Sequence, residues 1–169
     1  MRKLYSALLV VALTVAMVLP VFAAPSPSAE VKTAKEAATV AVADADVKVL
    51  TKEVFAAVND VVTNATHLKN LGVSTNAKLA AAFDLKIEIP AGQTSVSVPI
   101  KVNNAKVGDY AVILHRRADG QWEKVGEGFL GADMTVTGTF TSFSPVAVMV
   151  VDAAQASAAG VKAPKTGEF

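Results

Sequence analysis

Two kinds of hydrophobic spacing divide this chain into a helical part and a strand-rich part. From Thr51 to Leu71, apolar residues recur at intervals of three and four, which is the spacing of one helix face. Thr51 is a favourable N-cap, and Gly72 can adopt the left-handed conformation that ends a helix. We therefore predict one amphipathic helix over 51–71. Its apolar stripe consists of Val54, Phe55, Val58, Val61, Val62, Ala65 and Leu68.

From residue 78 onward, apolar and polar residues alternate, which predicts β-strands separated by Gly, Pro, Asn and Asp turns. The run 110–117 is apolar on both faces, as in a central buried strand. Pro99 cannot donate a ladder hydrogen bond, so 95–102 is expected at a sheet edge. A further short strand is expected within 46–50. The remaining predicted strands span 78–89, 122–129, 134–141 and 146–151.

Six or so short strands joined by turns predict an antiparallel β-sandwich, immunoglobulin-like in type. A valine-rich helix is poorly stable alone, so its apolar stripe should pack on the sandwich. The expected fold class is mainly β, with one packed N-terminal helix, over residues 46–151. The flanking segments 24–45 and 152–169 are rich in small and polar residues and proline, and they predict a flexible leader and a disordered tail.

The first 23 residues have the composition of an export signal. Arg2 and Lys3 precede an uncharged apolar run, and small-residue spacing predicts signal cleavage between Ala23 and Ala24. The run is short for a membrane span, which needs about 20 apolar residues. We therefore expect residues 1–23 to be removed and the remaining chain to work outside the cytoplasm, with no segment inserted in the membrane.

Charge and cysteine content narrow the possible functions. The formal net charge is +1, and removal of the basic residues Arg2 and Lys3 makes it −1, so we expect neither nucleic acid nor an anionic membrane as a partner. The chain has no cysteine, which excludes a disulfide scaffold and a cysteine-based metal site or nucleophile. This composition fits an exported bacterial protein.

The second half of the chain contains segments similar to those of a known group of proteins. The segments FDLKIEIPAGQTSVSVPI, GDYAVILHRRADGQWEKVG and TVTGTFTSFSPVAVMVV resemble the C-terminal β-sandwich regions of exported and wall-attached proteins of Gram-positive bacteria, clostridial proteins especially. The resemblance covers about Ala77 to Glu168 and rests on structural motifs: a tryptophan after a hairpin turn, and a phenylalanine-serine-proline corner before the last strand. It implies a protein secreted or displayed at the cell wall.

The tail carries a pentapeptide similar to the sortase recognition motif, Leu-Pro-any-Thr-Gly, in which the enzyme cuts between threonine and glycine. Leucine is replaced by alanine here, and the 169 residues end two positions after the motif. The resemblance implies sortase as a possible partner. Three alternatives follow: the apolar anchor lies beyond these residues, the motif is a relic, or the protein is released. The motif comprises Ala163, Pro164, Lys165, Thr166 and Gly167.

Residues able to support catalysis or metal binding are few and scattered. His67 lies near the predicted helix C-terminus, where a cation interacts favourably with the helix dipole. His115 is expected to be solvated at a strand end. Glu123 and Glu127 have the residue types of a glycosidase carboxylate pair, but solvated surface charge explains them better. Asp44 and Asp46 lack the rest of a calcium loop. We predict no catalytic, cofactor or metal site. Trp122 and Tyr110 are expected to fill the core with hydrogen-bonded polar tips.

These observations favour a non-catalytic, secreted or wall-displayed module that acts as a structural spacer, an adhesin-like domain, or a binder of an extracellular polymer or protein. Binding is expected at loops, or by strand addition at the 95–102 edge. The alternative is a small exported carbohydrate-active or hydrolase accessory domain, for which acidic residues should converge in a cleft.

Overall fold

The computed structural model describes residues 38–40, 45–143, 145–158 and 160–162. Alternating segments form strands and the three-and-four-spaced segment forms helices, largely where the sequence predicts them. In chain order the elements are β1 (Ala38–Val40), β2 (Asp46–Lys48), α1 (Lys52–Thr63), α2 (Ala65–Asn70), β3 (Lys78–Lys86), β4 (Val96–Val102), β5 (Tyr110–Arg116), β6 (Trp122–Phe129), β7 (Thr135–Phe140), β8 (Pro145–Val151) and α3 (Ala153–Ala158).

The strands form two antiparallel sheets that pack face to face. A three-stranded sheet has the order β1-β4-β7, and a five-stranded sheet has the order β2-β3-β8-β5-β6. Their inner faces share one apolar core, because alternation along each strand sends every second side chain inward. The prediction of a mainly antiparallel β-sandwich with packed helical structure is therefore confirmed. The core includes Phe83, Leu85, Val98, Ile100, Ile113, Val136, Phe140 and Val148.

Helices cover the outer face of the five-stranded sheet and form a third layer. The second apolar core, between this face and the helices, includes Phe55 and Val58 of α1, Leu68 of α2, and Leu114 of β5. The strand β5 is thus buried on both faces, as its uninterrupted apolar sequence predicts. A cleft opens on the helical side of this sheet.

The predicted single helix is in fact two helices. Asn64 ends α1 and caps α2, and its side chain accepts hydrogen bonds from the backbone N–H groups of Thr66 and His67. An asparagine side chain competes with the helix backbone for these donors, which explains the break. The two predicted ends are confirmed: Thr51 Oγ1 accepts from Val54 N, and Gly72 has φ +68°.

The strand β4 is a middle strand rather than the predicted edge strand. It pairs with β7 over 96–101 and with β1 only over 100–102. Val102 N donates to Met134 O on the β7 side, so the alternation of the backbone directs the nitrogen of Pro99 toward the β1 side, one residue past the end of β1. Proline therefore removes no hydrogen bond between β4 and β7, and it is compatible with this position.

The end strand β6 contains a bulge that brings it against β7. The register with β5 shifts between Ile113 and Leu114, whose partners are Gly126 and Lys124. A Cβ placed on Gly126 would overlap the carbonyl oxygen of Thr137 and lie 2.9 Å from Gly138 Cα. Only glycine permits this approach of two backbones. The contact brings the end of the five-stranded sheet against β7 of the three-stranded sheet.

Short elements lie inside both segments that were predicted to be flexible. Strand β1 lies within 24–45 and pairs with β4, and α3 lies within 152–169 with Ala156 buried. The alternation in β1 and the alanines of α3 allow ordered structure once a neighbouring surface is present, which corrects the prediction for these residues. The export signal with its cleavage point at Ala23 and Ala24, and the motif from Ala163 to Gly167, lie outside the described residues. In the described part of the chain, each helix is too short or too polar to cross a bilayer.

Candidate functional site

A cleft of about 540 Å³ opens between the helices α1 and α2 and the β5–β6 hairpin. The first wall is a strip of α1 with Ala57, Asp60 and Val61, which are spaced i, i+3 and i+4 and so share one helix face. The second wall has the same spacing and consists of His67 and Asn70 of α2 and the C-cap residue Leu71. The break at Asn64 separates these two strips. The volume lies within the usual range for small-ligand sites, roughly 300–1,000 Å³.

The third wall is the tip of the β5–β6 hairpin. Arg116 lies opposite Trp122 in the strand register, and the loop between them closes with Gly120 N donating to Arg117 O and Arg117 N donating to Gln121 O. Gly120 has φ +84°, which favours glycine. This turn brings Gly120 and Gln121 to the cleft beside the Arg116 and Trp122 side chains.

The loop is further fixed by a side-chain contact outside the cleft. Asp119 accepts a hydrogen bond from Gln121 N at 3.0 Å and pairs with Arg117 at 2.9 Å. Both partners of the ion pair are about half exposed, so solvent screening makes its contribution small. The hydrogen bonds and the required glycine conformation therefore define the shape of the loop more than the ion pair does.

The cleft holds polar groups whose hydrogen-bonding capacity is unused within the described part of the chain. Asp60, His67, Asn70 and Gln121 make no side-chain hydrogen bond or ion pair to a described residue. Trp122 also has no such partner for its indole N–H, and it is half buried against the helix-side core. Unused polar groups that converge around one aromatic ring are suited to hold a polar ligand with an apolar face.

The structure agrees with the predicted role of Tyr110, but only in part with that of Trp122. Tyr110 packs edge-to-face on Phe129 with ring centroids 4.9 Å apart, and its hydroxyl hydrogen-bonds to Glu127. Trp122 packs on the core with part of its ring but lines the cleft with the rest. The prediction of a core tryptophan with a bonded polar tip is therefore corrected, because the described residues supply no partner for its N–H.

Tyr110 of β5 forms a hydrogen-bonded group with Glu127 and Lys124 of β6. Burial raises the pKa of the Tyr110 hydroxyl, and the bond to Glu127 raises it further. Burial alone would raise the pKa of Glu127, but hydrogen bonds from Lys124, at 2.7 Å, and from Tyr110 outweigh it and lower that pKa below its ordinary value. Glu127 is thus held as a carboxylate by two donors. It lines a second, smaller cavity of about 100 Å³ near α3, away from the main cleft.

The two glutamates considered as a carboxylate pair do not converge. Glu127 lies opposite Val112, on the helix side of the sheet, while Glu123 lies opposite His115, on the sandwich side. The bulge between them shifts the alternation, so residues four apart in sequence project from opposite faces. Each carboxylate already has its own partner.

His115 is buried rather than solvated, which corrects the prediction. Its side chain has no exposed surface, and Nδ1 lies 3.1 Å from Oε1 of Glu123. The ring packs edge-to-face on Phe140 of β7, with centroids 5.6 Å apart. It lies on the same face of β5 as Ala111 and Ile113, and the opposing sheet covers this end of the strand. Its role is to connect the two sheets.

The other residues considered for metal binding or catalysis lie apart from one another. Asp46 pairs with Lys48 at 2.7 Å across two exposed side chains, and Asp44 lies outside the described residues. No group of three or more His, Asp or Glu side chains that could hold a metal ion occurs in the residues the structure describes. His67 lies in the last turn of α2, as expected for a residue near a helix C-terminus.

Sequence reasoning missed the cleft because its walls come from segments about 50 residues apart. The sequence shows that Ala57, Asp60 and Val61 share one helix face, but it does not show which segment lies opposite Asp60. The side chain of Asp60 is exposed, and the fold places it opposite the hairpin tip. Comparison of the chain with protein-family models, curated proteins and solved structures gave no significant match.

Proposed function

We propose that this chain is an exported, non-catalytic β-sandwich module that binds an extracellular polymer or protein through the cleft between its helices and the β5–β6 hairpin. The observation that carries the proposal is the convergence, on one cleft of about 540 Å³, of five side chains that have no partner among the described residues. Export is proposed from the basic and apolar composition of residues 1–23. Display at a Gram-positive cell wall is proposed from the pentapeptide Ala163 to Gly167.

The alternative, a carbohydrate-active or hydrolase accessory domain, receives less support. Glu123 and Glu127 lie on opposite sheet faces. Among the described residues that line the cleft, one carboxylate is found, that of Asp60. A pair of carboxylates is needed for the common glycosidase mechanisms. The binding proposal requires affinity alone, and the cleft offers several groups for it.

A steric block of the cleft tests the proposal. Ala57 lines the cleft, whereas its neighbour Ala56 is exposed elsewhere on α1. Ala57→Arg should abolish retention of the full chain on the cell-envelope fraction of a Gram-positive host, and Ala56→Arg should leave it unchanged. Both variants add the same side chain to the same helix, so altered charge or helix propensity affects them equally.

The result that overturns the proposal is equal retention of the two variants, or no retention of the unmodified chain on envelope polymers and proteins. Circular dichroism of both variants shows that they are folded before the comparison. Export is measured separately, by N-terminal sequencing of the chain recovered outside the cells. The expected first residue is Ala24, and an N-terminus at Met1 contradicts the export proposal.

A further inference from the structure

We infer that the ligand of the cleft is an uncharged saccharide unit that stacks on Trp122; this inference rests on the proposed function and specifies its ligand. Trp122 offers part of its ring to the cleft while the rest packs on the helix-side core. The core holds the ring in place, so little side-chain entropy is lost when a ligand covers it. The C–H face of a pyranose ring is apolar and fits against an aromatic ring of this kind.

The polar groups of the cleft match the edges of a sugar. A sugar hydroxyl both donates and accepts a hydrogen bond. Asn70 and Gln121 each offer an amide with a carbonyl acceptor and N–H donors, and Asp60 offers two acceptor oxygens. His67 adds a ring nitrogen pair that donates and accepts. The described residues leave these four side chains unpaired, so a bound sugar displaces water rather than an existing protein contact.

The charges of the cleft favour a neutral ligand. One guanidinium, that of Arg116, and one carboxylate, that of Asp60, line it, and their formal charges cancel. An acidic sugar would be attracted by the first and repelled by the second, with no net gain. A peptide ligand usually gains its affinity from a sheet edge or from apolar anchor pockets. Side chains that are mostly polar line this cleft instead.

The sequence supplies a direct probe, because Trp122 is the only tryptophan of the chain. Titration of the full chain with glucose oligomers and N-acetylglucosamine oligomers should change the tryptophan fluorescence in a saturable way. Galacturonic acid oligomers should bind no more tightly than the neutral oligomers, because the charges of Arg116 and Asp60 cancel. Isothermal titration calorimetry measures the same affinities in variants that lack the indole.

Matched variants assign the binding to the cleft. Trp122→Ala should weaken binding about tenfold or more, which corresponds to at least ~1.4 kcal/mol for an anchoring aromatic. Trp122→Phe keeps a stacking ring and the core contact, so it should bind with an intermediate affinity. Gln121→Ala should weaken binding, whereas Gln93→Ala, at an exposed loop position outside the cleft, should not.

The outcomes separate this inference from the proposed function. Retention on the envelope fraction that is blocked by Ala57→Arg, without saturable binding of any neutral oligomer, overturns the saccharide assignment alone. Binding of galacturonic acid oligomers in preference to neutral ones also overturns it. Saccharide binding that depends on Trp122, without retention on the envelope, supports the saccharide assignment and contradicts the proposed function.

Discussion

His115 and Glu123 form a cross-strand hydrogen bond, Nδ1 to Oε1 at 3.1 Å, at the point where β5 meets the end strand β6. The imidazole is fully buried, while the side chain of Glu123 is 36% exposed. The carboxylate thus satisfies a buried polar ring from the rim of the sandwich. The imidazole packs on Phe140 of the other sheet, so one contact orients residues of three strands.

Loss of this contact should destabilise the fold without affecting the cleft. Glu123→Ala removes the acceptor beside a buried ring nitrogen, so we expect the free energy of unfolding to fall by about 1–3 kcal/mol. Glu123→Gln keeps an oxygen acceptor in place and should cost less than half as much. Urea unfolding followed by circular dichroism measures both values. Equal costs for the two variants would show that the charge of the carboxylate, and not a hydrogen bond to its oxygen, determines the stability here.

Gly126 and Gly128, two residues apart on β6, should respond oppositely to alanine. At Gly126 a Cβ meets the backbone of Thr137 and Gly138 on β7, so Gly126→Ala forces two strands apart and should cost about 1–3 kcal/mol or more. At Gly128 a Cβ meets nothing within 4 Å, so Gly128→Ala should be neutral or slightly stabilising, by up to about 1 kcal/mol. Thermal unfolding of the pair measures this, and similar costs would contradict the close approach of β6 and β7.

The sequence predicted local elements well, and the reason is visible in individual residues. Period-two alternation sends Val98 and Ile100 inward and Ser97 outward, and the structure places them so. The uninterrupted apolar run of β5 correctly indicated a strand buried on both faces. Which face of an alternating strand is buried depends on the side chains of that strand, and these can be read directly from the sequence.

What the sequence did not show depends on contacts between distant segments. The burial of His115 requires Phe140 from β7. The opposite orientations of Glu123 and Glu127 require a bulge that no residue pattern indicates. The middle position of β4 depends on β1, a strand of three residues within the segment that was predicted to be flexible. The cleft combines the helical segment 57–71 with the hairpin tip 116–122, which is distant in sequence, so only the tertiary structure reveals it.

The break between α1 and α2 leads to a further prediction. Asn64 Oδ1 accepts from Thr66 N at 3.0 Å and from His67 N at 3.2 Å. Asn64→Ala leaves these donors without the cap and should lower the free energy of unfolding by about 1 kcal/mol. Asn64→Asp keeps an oxygen acceptor and should be close to neutral. His67 and Asn70 follow this cap, so Asn64→Ala should also weaken ligand binding in the cleft, as measured by tryptophan fluorescence.

Tyr110 should make the protein lose stability at alkaline pH. Burial and the bond to Glu127 raise the pKa of its hydroxyl in the folded state, while the unfolded value is about 10. Above pH 10 the unfolded chain releases this proton and the folded chain retains it. The contribution is therefore fully present below about pH 10 and falls as the pH rises toward the folded value.

The measurement for Tyr110 is urea unfolding at a series of pH values from neutral to strongly alkaline. Tyr110→Phe removes the titrating hydroxyl, so its free energy of unfolding should fall less steeply above pH 10 than that of the unmodified chain. The variant also loses one donor to Glu127, whose pKa should rise toward its ordinary value, so less of its stability should be lost when the pH falls below that ordinary value. Parallel alkaline profiles for the two proteins would show that the Tyr110 hydroxyl is not held in its protonated form by the fold.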